Sequence, residues 1–248
     1  MKRLASTVAS AAALYGALGA CMRRCMAPHC AVCGIEHGDP VCCACLQDYF
    51  TERCPRCPVC ANALPASAQQ PSLCGECLTR PRHFDRTIAL TDYAPPVAAM
   101  IAALKFQARL DLGRVFGILL AQRAAALEAD GLIALPLARE RRRERGYNQA
   151  EEIARAVAAQ RAWPLLRGVL LRPQHRPSQQ GLRRAQRRTN VRGAFEVAAA
   201  AEIGGRRLVL VDDVLTSGST LDEAAACLKR AGAASVSNLV VARTRSPS

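Results

Sequence analysis

The 248-residue chain has almost no lysine. Of its 34 basic residues only Lys2, Lys105 and Lys229 are not arginine. Aromatic residues make up 4% of the sequence, which argues against a protein that holds nucleic acid mainly by stacking bases. No apolar run reaches the ~20 residues of a membrane-spanning helix, so no membrane span is expected. There is no G-x-x-x-x-G-K-[ST] loop and no G-x-G-x-x-G turn, which sets aside the two commonest phosphate-binding fingerprints. No Cys–His or Ser–His nucleophile pair is evident either.

What is present is cationic and rich in cysteine. The formal charge is +14, carried by a side chain whose planar fork binds phosphate oxygens in pairs. An Ala- and Arg-rich composition can also reflect genomic base composition, so local clusters carry more weight than the total. With 50% hydrophobic residues, a chain of this length can bury one core or two.

Twelve of the thirteen cysteines lie between Cys21 and Cys77; only Cys227 lies outside, in a helical pattern that suits a small buried thiol. Four CxxC pairs occur in order: Cys30 with Cys33, Cys42 with Cys45, Cys57 with Cys60, and Cys74 with Cys77. A CxxC turn brings two sulfurs close enough to share a metal, and two such turns complete a tetrahedral thiolate site. Four pairs therefore predict two structural Zn2+ sites. Sequential pairing joins the first two pairs and the last two, and a crossed arrangement is the alternative. Cys21, Cys25, Cys43 and Cys54 are left over; His29 and His37 are read as solvated. Zinc here would substitute for a core too small to fold alone.

The N-terminus carries a basic start, an Ala-rich stretch and Leu18-Gly19-Ala20-Cys21, which has the form of a bacterial lipoprotein cleavage site. The other reading is a helix leading into the cysteine module. Export would separate a thiolate cluster and a phosphate loop from any evident use, so a cytoplasmic location is expected.

Beyond residue 80 strand and helix signals alternate. Strands are expected over 87–93, 132–135, 207–211 and 236–241, helices over 96–105, 112–127, 149–160 and 221–230, with 165–171 apolar again. This alternation predicts an α/β domain over 81–248 with a mainly parallel sheet, preceded by a small cysteine-rich zinc-ribbon domain over 1–80.

The sharpest feature is LVLVDDVLTSGST at 208–220. Ligands of parallel sheets bind beyond the carboxyl ends of strands, and this strand is expected to end in Asp212 and Asp213. Neighbouring strand residues point to opposite faces, so both carboxylates cannot enter apolar core cheaply. They are expected at the strand's mouth, in reach of sugar hydroxyls or a hydrated Mg2+. Thr216, Ser217, Gly218, Ser219 and Thr220 then supply small hydroxyls, a permissive glycine and a helix start, a cup for a phosphate monoester. The structural alternative makes Asp213 a turn residue and Ser219 a helix cap.

VDDVLTSGST resembles the phosphoribosyl-pyrophosphate (PRPP) motif of type I phosphoribosyltransferases. From about residue 25 to 245 the chain resembles the ComF family, which includes ComFC/GntX-like competence proteins. The resemblance rests on the CxxC pairs, Phe84-Asp85, Leu104-Lys105-Phe106, RERGYNQ at 143–149, QQGL at 179–182, RRTNVRGAF at 187–195 and the acidic loop. It implies a type I phosphoribosyltransferase sheet, PRPP with Mg2+ as ligands, Asp212 and Asp213 on the ribose hydroxyls, and 216–220 on the 5′-phosphate. It also implies a mobile segment over 173–192 whose Arg183, Arg184, Arg187 and Arg188, with Arg143 and Arg145 of the 139–145 run, meet pyrophosphate.

Two functions follow from the same residues. One is Mg2+-dependent phosphoribosyl transfer to an unidentified acceptor, in DNA uptake or nucleotide metabolism. The other is a non-catalytic protein that binds single-stranded DNA or competence-machinery proteins through zinc ribbons and arginines and keeps the PRPP pocket for sensing.

Overall fold

A computed structural model describes residues 29–68, 72–173, 193–199 and 201–245. The chain divides into two compact units, Met1–Asp48 and Tyr49–Ser248. The expected division at residue 80 marks the change in cysteine content, whereas the spatial division falls at Asp48. The N-terminal stretch with Cys21 and Cys25 lies outside the described residues.

In the first unit a tight hairpin is closed by the antiparallel bridge His29↔Glu36 and by Cys30 N–H donating to the Ile35 carbonyl at 2.8 Å. Gly34 turns it with φ +74°, a conformation that costs a residue with a Cβ. A single helical turn, α1 (Cys43–Cys45), follows, with Cys42 at its N-cap. The second unit begins by repeating this plan: the bridge Arg56↔Ala63 closes a second hairpin, and α2 (Gly75–Thr79) starts from Cys74 at its N-cap. The position matching Gly34 is Ala61, which holds φ +55° and is buried.

The rest of the second unit is the expected α/β fold. Its order is β1 (Arg86–Asp92), α3 (Val97–Phe106), α4 (Leu110–Arg123), β2 (Gly131–Ala134), α5 (Arg139–Arg145), α6 (Gln149–Arg161), β3 (Leu170–Leu171), β4 (Glu196–Val197), β5 (Arg207–Leu215), α7 (Ser219–Arg230) and β6 (Ser235–Arg243). Strands β1, β6, β5 and β2 form one sheet in that order, all parallel. The two residues of β3 pair antiparallel with β4 in a separate ribbon.

Parallel strands covered on both faces are mostly apolar where they are buried, as β5 is over 208–211 and β6 over 239–242. Leu208, Leu210, Val236 and Val240 share a core with Leu221, Ala224, Ala225 and Leu228 of α7. The alternate residues Val209, Val211, Leu239 and Val241 are equally buried and face the opposite side. There α4 packs on β1 and β6, while α6 packs on β2 and β5. Helices α4 and α6 touch closely: a Cβ on Gly117 would stand 2.4 Å from the Ala156 Cβ and 2.6 Å from the Ile153 carbonyl oxygen.

Two boundaries differ from expectation in a way that matters. Strand β5 does not stop at Val211 but runs through both aspartates to Leu215, because β6 continues to pair with it as far as Arg243. Helix α7 starts at Ser219, and its N-cap is Gly218 with no side-chain capping bond, so Ser219 is not the cap. The apolar 165–171 stretch gives only a bridge from Leu165 to Leu132 and the short β3.

Candidate functional site

Two groups of four cysteines come together, each with all its sulfurs within 4.8 Å of one another: Cys30, Cys33, Cys42 and Cys45, then Cys57, Cys60, Cys74 and Cys77. The sequential pairing is therefore the one adopted. A zinc ion with ~2.3 Å bonds to a sulfur tetrahedron sets its edges near ~3.8 Å. The Cys33–Cys42 sulfur distance is 3.8 Å and the Cys60–Cys74 distance 3.4 Å, so both groups could hold zinc. Each site combines one hairpin CxxC with one CxxC at a helical N-terminus, where backbone N–H groups favour thiolates. Cys43 and Cys54 stand outside both groups.

The thiols influence one another strongly. Burial raises Cys30, but backbone N–H donors of Cys33, Cys42 and Val32 outweigh it and bring the thiol down to about 6. Hydrogen bonds from Cys60 and Cys77 hold Cys57 far below the usual thiol range, and Cys57 in turn pushes Cys60 up to about 11 and raises Cys77 further.

At the sheet's carboxyl end the strands finish at different heights. β2 stays paired with β5 only to Ala134↔Val211, with one further bond from Leu135 N–H to the Val211 carbonyl. Past Val211, β5 continues against β6 alone, and its edge toward β2 is no longer paired in the sheet. Asp212 and Asp213 occupy that stretch. Asp213 is buried and points toward the α4–α6 face, where Lys105 Nζ lies 2.6 Å from Oδ1 and Gln149 Nε2 donates to Oδ2 at 3.2 Å. Asp212 points the other way; its Oδ1 accepts the Asp213 N–H at 2.8 Å. Desolvation, reinforced by the Asp213 charge, pushes Asp212 up to about 7.

The following loop turns sharply. Gly218 adopts φ +76°, and the Ser217 and Ser219 hydroxyls lie 2.9 Å apart. Asp222 N–H donates to the Gly218 carbonyl at 2.8 Å, which starts α7 and leaves its first-turn N–H groups at the loop. Thr216 is exposed and Ser217, Ser219 and Thr220 are half-buried. All seven residues expected at this site are thus contiguous around one strand end and one helix start, although the two carboxylates diverge.

Among the arginines, Arg143 is exposed on α5, and Arg145 stacks on the exposed ring of Phe106, 5.1 Å from its centroid. Arg183, Arg184, Arg187 and Arg188 lie outside the described residues. The C-terminal flank of that segment is tied down, Gly193 N–H donating to Glu223 on α7 at 2.9 Å.

Sequence reasoning assigned no role to Lys105, Gln149 or Arg172. Burial lowers the Arg172 guanidinium, with Arg141 adding to the effect and Asp212 and Glu140 opposing it, so α5, Arg172 and Asp212 share one electrostatic neighbourhood. The scarcity of lysine was the available signal for Lys105. Lys229 makes the same point: its Nζ pairs with Asp85 at 2.8 Å, and Asp85 accepts Val236 N–H at 2.7 Å.

Residues 123–247 match the phosphoribosyl transferase domain family. Competence protein F of Haemophilus influenzae is 33% identical over 186 residues, covering 72% of this chain and 80% of that protein. The chain belongs to the ComF family. The DNA utilization protein YhgH of Escherichia coli K12 is 31% identical over 213 residues, covering 82% of this ComF-family chain and 90% of that protein. Competence protein ComFC of Bacillus subtilis is 35% identical over 121 residues, 46% of this chain and 44% of that one. Both the ComF resemblance and the parallel-sheet fold class expected from sequence hold. Among the described residues no helix is long and apolar enough to cross a membrane.

Proposed function

We propose that this chain binds PRPP with Mg2+ at the end of β5 and acts as a ComF-type phosphoribosyltransferase in DNA uptake or nucleotide metabolism, in the cytoplasm. The observation that carries this reading is the contiguity of two carboxylates, a hydroxyl loop and a helix start on the one strand that outlasts its neighbour. In this reading the 5′-phosphate sits on the N–H groups and hydroxyls of Thr216, Ser217, Gly218, Ser219 and Thr220. Asp212 accepts from a ribose hydroxyl, and Asp213, oriented by Lys105 and Gln149, holds the other side of the sugar. When bound with PRPP, Mg2+ would neutralise charge on the leaving pyrophosphate. Departure of pyrophosphate from ribose C1 builds positive charge on the sugar, and the fixed carboxylates orient and stabilise it while Arg143, Arg145 and the 183–188 arginines meet the leaving group.

Calorimetry with PRPP and Mg2+ tests the pocket. Wild type should bind, and Asp212→Asn with Asp213→Asn should bind at least tenfold more weakly, about 1.4 kcal/mol or more. Equal binding by wild type and variant would remove the pocket assignment. Pyrophosphate release over a panel of bases and amines then separates transfer from sensing.

The relatives' names, Competence protein F and DNA utilization protein, support the second reading. The exposed cationic helix α5 beside the Phe106–Arg145 stack gives it a physical surface. Salt-dependent binding to single-stranded DNA with no pyrophosphate release across that panel would favour it.

A further inference from the structure

We propose that the second four-cysteine site and the 216–220 loop are mechanically one unit, with Arg243 and Arg82 as positioning residues that transmit metal occupancy to phosphate affinity. The inference rests on the phosphate-loop reading above. It goes beyond that reading in assigning the second metal site a part in ligand binding.

Arg243 is the last residue of β6 and is 1% exposed. Its Nε donates to the carbonyl of Cys60, a residue of the metal site, at 3.0 Å. Its Nη1 donates to the Leu215 carbonyl at 3.2 Å and also to the carbonyls of Thr216 and Thr244. One rigid guanidinium thus joins the cysteine hairpin to the first residues of the loop. The consequence follows from the planar trans peptide, in which N–H and C=O point in opposite directions. With the Leu215 and Thr216 carbonyls drawn toward Arg243, the N–H groups of Thr216 and Ser217 are turned away from it. Holding the back of the loop therefore sets the orientation of its donors.

Arg82 makes a second connection. Its Nη2 donates at 2.8 Å to Glu76 on α2, the helix that carries Cys77. Its Nη1 lies 3.7 Å from where a Cβ on Gly218 would stand, with Phe84 at 3.8 Å. The side chain is 8% exposed, and its buried Nε has no partner among the described residues. Next to it, His83 N–H donates to Asp222 in the first turn of α7 at 2.7 Å. Thr87 N–H closes the frame by donating to the Pro58 carbonyl, between Cys57 and Cys60, at 3.1 Å. Loss of the metal would free the Cys60 peptide and α2 together, and with them both anchors of the loop.

Coupling of this kind is reciprocal: if metal tightens phosphate binding, the ligand must retard metal loss. The test is zinc transfer from the full chain to a chromogenic chelator, with and without PRPP in excess Mg2+. The first site in the same molecule reports any chelation by free PRPP. We expect release from the second site to slow about fivefold or more with PRPP, and release from the first site to be unchanged. Arg243→Met should weaken PRPP binding about tenfold in calorimetry and abolish the protection; Arg243→Lys, which keeps charge but not the fork, should recover only part of it. Arg82→Gln should weaken both effects. Wild type that binds PRPP but releases second-site zinc at an unchanged rate would overturn the coupling, whether or not Arg243→Met folds. Wild type that binds no PRPP would overturn the phosphate-loop reading itself.

Discussion

At the residue scale the two aspartates of β5 are neighbours in sequence with opposite fates. Asp213 goes to the helical face, where Lys105 and Gln149 meet it, whereas Asp212 is raised to about 7. A carboxyl raised in the fold binds its proton over a pH range where the unfolded chain has already lost it. The folded state therefore holds more protons between about pH 4 and pH 7, and stability falls as pH rises through that window. Asp212→Asn should remove this component: urea unfolding should find it no more stable than wild type at pH 4 and more stable at pH 8. Lys105→Met should cost about 2 kcal/mol, since it strips a charged partner from a buried carboxylate. In a double-mutant cycle much of that cost should vanish on an Asp213→Asn background.

The acidic pair, the hydroxyl loop and the eight cysteines of the two clusters were all legible as residues in the sequence. Lys105 and Gln149 stood in quoted motifs, but their contact with Asp213 was not legible, because they lie 108 and 64 positions before it and local patterns carry no contact information. Arg243 was invisible for the same reason. One more arginine near the C-terminus of an arginine-rich chain looks like solvated charge until the fold encloses it.

At the scale of elements, hydrophobic pattern located the four strands of the main sheet and four of the helices to within a few residues, misjudged their ends, and did not mark the arginine-rich α5, which has no apolar face to show. β5 was expected to stop where the carboxylates begin, since acidic residues suit strand interiors poorly. Hydrogen bonding to β6 carries it on to Leu215, while β2 pairs with it only as far as Val211, so both carboxylates lie beyond the end of β2. The seating of α6 depends on Gly117. Gly117→Ala would force a methyl into the Ala156 methyl and the Ile153 carbonyl, with an expected loss of about 2–3 kcal/mol by urea unfolding. PRPP affinity should also fall, because α6 carries Gln149 to Asp213. A substitution tolerated at wild-type stability would refute this packing.

At the scale of the whole molecule, the two four-cysteine groups share a plan but differ in shelter. Cys33 is exposed and Cys42 half-buried in the first site, whereas all four sulfur-bearing residues of the second are buried. Native mass spectrometry of the intact chain should find two zinc ions. A chelator should remove them in two phases of equal amplitude, the first site emptying faster. A folded, metal-free chain would contradict the assignment.

The sequence by itself determined the chemistry: thiolate pairs at metal-binding spacing, an acid pair joined to a hydroxyl loop, and the α/β alternation that makes a parallel sheet. These follow from spacing along the chain, which local geometry converts directly into structure. Only the tertiary structure decided how CxxC pairs combine, which carboxylate is paired with Lys105 and which is raised by burial, and that Arg243 joins the second cysteine group to the back of the loop. Each depends on groups far apart in sequence that meet in the fold, where burial makes an unpaired polar atom costly enough to select one partner.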